Sequence, residues 1–256
     1  YRSLYSNTTA SYNTASGYQS MYWNTTGSYN SALGEGSLQS NTTGNNNAAV
    51  GYRALYENTT ASYNTALGWE AAKANTTGNF NVAIGAGSLD ANTTGDKNTV
   101  VGAYALTDNT TGNYNTAVGQ QALGDNTTAD NNSAFGFNAL LVNTTGANNS
   151  ALGESALKAN TTGADNTAAG RYSLGSNTTG IRNEAFGVNA LYTNTTGGNN
   201  VAMGRQALYS NTTASNNVAV GGNSLTANTT GANNTALGYF AGDNITTGSS
   251  NIIIGA

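Results

Sequence analysis

The tripeptide Asn-Thr-Thr begins at Asn7, Asn24, Asn41, Asn58 and so on to Asn228, always 17 residues apart, and a fifteenth unit keeps the register with Ile245 in place of Asn. A fixed period of this length, with no insertion, means that each unit is one turn of a repeat architecture and that neighbouring units must bury each other. The unit reads N-T-T-[GA]-x-x-N-x-A-φ-G-x-x-[AS]-L-x-x, where φ is apolar. Thr fills the second and third places in all fifteen units, Asn the seventh and Gly the eleventh. The ninth is Ala except at Val100 and Ile253, and the fifteenth is Leu except at Met21, Ala72 and Gly242.

Seventeen residues with two or more turn signals leave no room for a helical hairpin, and Gly and Asn in every unit oppose helix. Places seven to eleven, such as Asn81-Val-Ala-Ile-Gly85, read as a short strand ending at a Gly turn. A second short strand is expected around Ala-Leu-x-x, with Asn-Thr-Thr as the return corner. The fold class that follows is all-β: a β-solenoid, or β-roll, of about fifteen 17-residue coils. Residues 1–256 form a single repeat domain, with a partial coil at 1–6, fourteen full coils over 7–244 and a partial coil at 245–256. At about 4.8 Å per coil the stack would be roughly 70 Å long. Neither end carries a capping sequence, so the coils are expected to continue into neighbouring structure.

Stacking places like on like. Asn at the seventh place (Asn13, Asn30, Asn47, Asn64, Asn81, Asn98, Asn115) and at the first is therefore expected to form amide ladders, each side chain donating to one neighbouring coil and accepting from the other. The competing reading of the first place is N-glycosylation, since every Asn-Thr-Thr is a formal acceptor, Asn24, Asn41 and Asn58 among them; Asn131-Asn-Ser, Asn148-Asn-Ser and Asn244-Ile-Thr are formal acceptors too. The ladder is preferred, because the seventh-place Asn is just as constant and is mostly not a sequon. The eleventh place (Gly17, Gly34, Gly51, Gly68, Gly85, Gly102) admits nothing but Gly, which calls for a positive φ or a very close backbone approach. The fourth place accepts Ala at Ala10, Ala61, Ala129 and Ala214 and has no such strict need.

In a strand the ninth and tenth places face opposite ways. If Ala lines the interior, then the tenth-place row (Leu33, Val50, Ile84, Val101, Phe135, Met203 and others) faces out as an apolar strip too large for a monomer. Identical chains around a threefold axis would bury it, so a homotrimer is expected; the alternative is a monomeric solenoid with the tenth place inward. End-to-end polymerisation into a filament is a further expectation for self-association.

Three residue types that form helices poorly, 42 Asn, 39 Thr and 33 Gly, dominate a chain with no Pro, Cys or His. No thiolate or imidazole site is available, and Ser and Thr have no His to activate them. Eight basic residues against twelve acidic ones make no cationic stripe, so nucleic acid is not an expected partner. No apolar run approaches the roughly 20 residues of a membrane span, and none is expected to insert. Asp90, Asp108, Asp125 and Asp130 are the nearest approach to an acidic cluster, and Asp108 and Asp125 share a place on adjacent coils. No enzyme and no cofactor are expected. Aromatics concentrate in the first coils, among them Trp23, Trp69, Tyr18 and Tyr52, which are candidate contacts for a cell-surface glycan; packing between chains or coils is the alternative. Fifteen Thr-Thr pairs also raise ice binding, though adjacent strand residues face opposite ways and a flat array wants i and i+2.

Two families are resembled. Asn81-Val-Ala-Ile-Gly-Ala-Gly-Ser88 is similar to the short repeat in the head domains of trimeric autotransporter adhesins, left-handed parallel β-rolls whose unit is shorter. Runs such as Asn115-Thr-Ala-Val-Gly119, Tyr209-Ser-Asn-Thr-Thr213 and Ser250-Asn-Ile-Ile-Ile-Gly-Ala256 resemble the repeat shafts of tail-fibre-domain proteins of phages and some bacteria, and this likeness covers nearly the whole chain. The resemblance implies a trimeric, non-catalytic fibre on a cell or virion surface, outside the cell, that serves attachment. It carries over no catalytic residue.

Overall fold

A computed structural model describes residues 2–255; Tyr1 and Ala256, the ends of the expected repeat domain, lie outside the described residues. The chain is an all-β parallel β-solenoid with a 17-residue repeat, and no helix occurs among the described residues. Two compact units are distinguished, Tyr1–Asn131 and Asn132–Ala256. The first holds β1 (Thr14–Ser16), β2 (Ser31–Leu33), β3 (Ala48–Val50), β4 (Thr65–Leu67), β5 (Val82–Ile84), β6 (Thr99–Val101) and β7 (Thr116–Val118). The second holds β8 (Ser133–Phe135), β9 (Ser150–Leu152), β10 (Thr167–Ala169), β11 (Glu184–Phe186), β12 (Val201–Met203), β13 (Val218–Val220), β14 (Thr235–Leu237) and β15 (Ile252–Ile254). Within each unit every strand pairs in parallel with the next at an offset of one repeat, Ala32 opposite Ala49 and Ala185 opposite Ala202.

The strand faces are as the alternation requires. The ninth-place Ala is buried, 0% exposed at Ala49 and Ala185, whereas the tenth-place Leu33 is 54% exposed and Leu152 59%. The tenth place therefore points outward, and the inward alternative is excluded. The interior of a coil is built from the first, fourth, seventh, ninth, fourteenth and fifteenth places, so it holds one Leu, small residues and two Asn.

One expected element is absent. The run around Ala-Leu-x-x is a series of turns, not a second strand. Its thirteenth and fifteenth places take positive φ, as at Arg53 (53°) and Leu55 (51°), and the sixth place does the same at Asn46 (57°). Each such residue costs about 1–2 kcal/mol relative to right-handed backbone. The compensation is that rotated peptide planes corner the chain while their polar groups still point along the stack. Leu38 N–H donates to Ala54 O at 3.0 Å in the following coil, Ser40 N–H to Tyr56 O at 3.1 Å, and Arg53 N–H back to Glu35 O at 2.9 Å. Full burial of the fifteenth-place Leu, worth about 1.5–3 kcal/mol, offsets the strain of its backbone.

Gly at the eleventh place meets both expected requirements. From Gly17 to Gly102 its φ lies between 131° and 143°, and a Cβ on Gly51 would stand 2.3 Å from Gly68 O in the next coil. The fourth-place Gly, by contrast, carries no positive φ, in keeping with the Ala found there in four units.

Candidate interaction faces

The two Asn columns lie inside the coils and differ in what they join. At the first place Asn41 Nδ2 donates to Asn24 Oδ1 at 2.7 Å and to Gly44 O at 3.0 Å, and Asn58 Nδ2 donates to Asn41 Oδ1 at 2.9 Å and to Ala61 O at 3.1 Å. This is an amide-to-amide ladder that also closes its own Asn-Thr-Thr corner. At the seventh place the side chain mainly ties backbone to backbone. Asn30 Nδ2 donates to Gly44 O at 2.8 Å, while its Oδ1 accepts the Asn47 backbone N–H at 2.9 Å and Asn47 Nδ2 at 3.1 Å. The bond to the next coil's fourth-place carbonyl recurs from Asn13 through Asn30, Asn47, Asn64, Asn81, Asn98 and Asn115 at 2.8–2.9 Å.

Asn24, Asn41 and Asn58 are 0% exposed and spend both amide protons on these bonds. In the folded coil these three amide nitrogens are buried and engaged, which favours the ladder over a glycan at Asn24, Asn41 and Asn58. The sixth-place sequon residues Asn131 and Asn148, and Asn244, are exposed instead.

The tenth-place side chains give the sheet an exposed apolar face. In the first unit Leu33, Val50, Leu67 and Val101 project from the tenth place, flanked at the eighth by small or β-branched side chains such as Ser31, Ala48, Thr65 and Thr99, and no charge falls on either column. In the second unit Phe135, Leu152, Phe186, Met203 and Leu237 fill the tenth place, and the exposed Glu184 puts a charge in the eighth. There the row is notched at Ala169, leaving a depression of about 410 Å³ whose walls include Phe135, Leu152 and Thr167.

A second face carries the third and sixth places. The third-place Thr is exposed throughout, but the second-place Thr is half-buried and bonded, Thr25 Oγ1 to Thr42 O at 2.9 Å. Each Asn-Thr-Thr therefore contributes one outward Thr column, not two. The sixth-place aromatics stack on one another, Tyr12 on Tyr29 at 5.0 Å and Tyr63 on Phe80 at 4.9 Å. One face of each ring is covered by the other, so packing between coils takes up part of the surface a ligand would use at these positions.

The four candidate glycan contacts fall in two places. Tyr18, Tyr52 and Trp69 share the twelfth place, interrupted by Glu35, and Trp23 stands apart at the seventeenth, edge-on to Tyr22 at 4.7 Å. Trp23 and Trp69 are about half exposed, and the Arg53 guanidinium lies 5.0 Å from the Tyr52 ring. Reading the sequence by residue type alone passes over the sixth, thirteenth and fifteenth backbone positions; the signals of positive φ there are the thirteenth-place Gly36 and Gly87 and the Asn that recurs at the sixth and thirteenth places, as at Asn46 and Asn138.

Two carboxyls are perturbed. Burial, then Asp108, pushes the Asp125 carboxyl above the ordinary carboxylate value, and burial is also the leading cause of the raised Asp90, opposed by Lys73 and assisted by Glu70 and Glu57. Among the described residues, no group of three or more His, Cys, Asp or Glu is gathered as metal ligands would be, and no helix is long and apolar enough to cross a membrane. No protein-family model matches the chain, and the search of curated proteins finds no match to it.

Proposed function

We propose that this chain is the structural shaft of an extracellular fibre or filament, non-catalytic, which serves attachment to a cell or virion surface and works as a homotrimer. The observation that carries this reading is the outward tenth-place row, an apolar, charge-free strip on the first unit's sheet face that runs coil by coil from Leu33 to Val118. Such a strip is larger than the apolar patches a soluble monomer ordinarily leaves in water, so it calls for a partner. Three copies packed on these faces would bury it. The ladders between coils hold neighbouring strands at a constant register of one repeat, which suits a structural shaft.

Sedimentation equilibrium tests the assembly. The expected mass is three times the 25.9 kDa of one chain. A Leu67→Glu, Val101→Glu double substitution should shift it towards one chain while the circular dichroism stays that of the wild type. A wild-type protein that remains monomeric at high concentration overturns the trimer.

Exposure of Trp23 and Trp69 supports glycan contact as a second reading, in which the shaft itself adheres. Replacing both with Ala should then weaken retention on immobilised glycans without lowering the melting temperature; unchanged retention would remove this reading.

A further inference from the structure

The coil that begins at Ile245 departs from the pattern inside, where the other coils agree. Ile245 stands where the fourteen other units carry Asn, and Ile253 where they carry Ala or Val; one coil earlier, Gly242 stands where the others carry Leu, Met or Ala. These changes fit together. A Cβ added to Gly242 would lie 3.1 Å from Leu225 Cδ2, 3.4 Å from Ile245 Cδ1 and 3.5 Å from Ile253 Cδ1. The space vacated by the missing Leu is thus taken by the two isoleucines of the following coil.

The exchange leaves a polar group stranded. Asn228 is 0% exposed and donates Nδ2 to Asn211 Oδ1 at 3.1 Å and to Gly231 O at 2.9 Å, as its counterparts do. Its Oδ1, which in the coils below would accept the next Asn amide, has no partner, because Ile245 brings none. The seventh-place column is unbroken, since Asn251 still donates its backbone N–H and Nδ2 to Asn234 Oδ1 at 3.0 and 2.9 Å. The break is confined to the Asn-Thr-Thr corner and to the aliphatic interior beside it.

We propose that the coil from Ile245 to Gly255 is a stop for the repeat, whose outer layer rejects a further coil of the same pattern, including the first coil of a second copy of this chain. An incoming coil carries Asn at its first place and needs an Oδ1 beneath it. Over Ile245 that amide proton is buried against a side chain with no acceptor, and an unpaired buried donor is costly. End-to-end growth of the stack is thereby limited. This goes beyond the shaft reading and is independent of what covers the sheet face.

The period supplies a direct test. Tyr1 and Ala256 occupy the same place of the unit, so residues 1–256 can be joined to residues 2–256 with no linker and no change of register. Amide hydrogen exchange is then followed in Asn7–Trp23 of the second copy, in the wild-type fusion and in one whose first copy carries Gly242→Leu, Ile245→Asn and Ile253→Ala. Exchange is expected to be at least about tenfold faster in the wild-type junction than in the restored one. Equal protection in the two fusions overturns the stop. Should the triple substitution fail to fold, the wild-type fusion decides alone: a junction as protected as the Asn58–Ala74 coil overturns the proposal, and a less protected one supports it.

Discussion

At the scale of single residues, two positions that both read as Gly do different work. A Cβ at the eleventh place collides with backbone of the next coil and must also adopt positive φ, as at Gly136, where φ is 137° and Gly153 O lies 2.6 Å away. At Gly146, in the fourth place, a Cβ would meet Gly163 O at 2.2 Å, yet the same place holds Ala129 and Ala214 in the same pattern, so the backbone there can give way. Gly136→Val is therefore expected to cost more than about 3 kcal/mol, and Gly146→Ala about 1 kcal/mol, read as the difference in thermal midpoint. Both roles were legible from which substitutions the units tolerate. The direction of the Asn bonds was not: composition and period place the amides in register, but only the backbone geometry shows that the first-place amide meets its own kind and the seventh-place amide meets a carbonyl. Asn166→Asp tests the latter, because Asn166 Nδ2 donates to Gly180 O at 2.9 Å and Asn149 Oδ1 at 3.1 Å, and its Oδ1 accepts Asn183 N–H at 3.0 Å. A carboxylate keeps the acceptor and loses both donors, so a fall in thermal midpoint larger than that of Gly146→Ala is expected.

At the scale of the element, a coil is one strand and a set of tight turns. The strand was legible from its alternation and its Gly terminus. The run after it was not, because Leu in an Ala-Leu-x-x context has no local preference for left-handed backbone; stacking bonds and burial impose that conformation. The variable corner places of neighbouring coils act on each other. Asp108 and Asp125 occupy the same place one coil apart, and the folded state holds the Asp125 proton more tightly than an unfolded chain would. The stability associated with that carboxyl is greatest below the ordinary value of 3.8 and is lost as pH rises through the elevated folded value. Asp125→Asn should accordingly raise the thermal midpoint slightly at pH 7 and leave it unchanged near pH 3; a gain of equal size at both would assign the effect to something other than charge.

At the scale of the molecule, the period is the design. Within the first unit, Asn41–Glu57 is one whole coil, and its removal brings Ser40 to Asn58 with every place preserved. Leu33 then neighbours Leu67 on the sheet face, and Tyr29 neighbours Tyr63 in the sixth-place column. The shortened chain should keep the parent circular dichroism and lose only a few degrees in thermal midpoint, roughly what one nearest-neighbour interface contributes. Removing Asn41–Tyr56, one residue fewer, leaves Glu57 as an extra residue between Ser40 and Asn58; the coils on either side keep their own register, so the damage is a bulge at one junction, and a larger fall in thermal midpoint than that of the whole-coil deletion is expected. The fold class could be read from the repeat before any coordinate was known, while the interaction faces could be read only as far as the alternation of the ninth and tenth places reaches. The first-place ladder has one more consequence. Its Nδ2 groups all point towards the preceding coil and its Oδ1 groups towards the following one. A chain leaving the ribosome N-terminus first therefore brings each new donor to an acceptor already fixed in place, so every finished coil is the template for the next, and assembly can proceed vectorially, one coil at a time, with only local contacts to find.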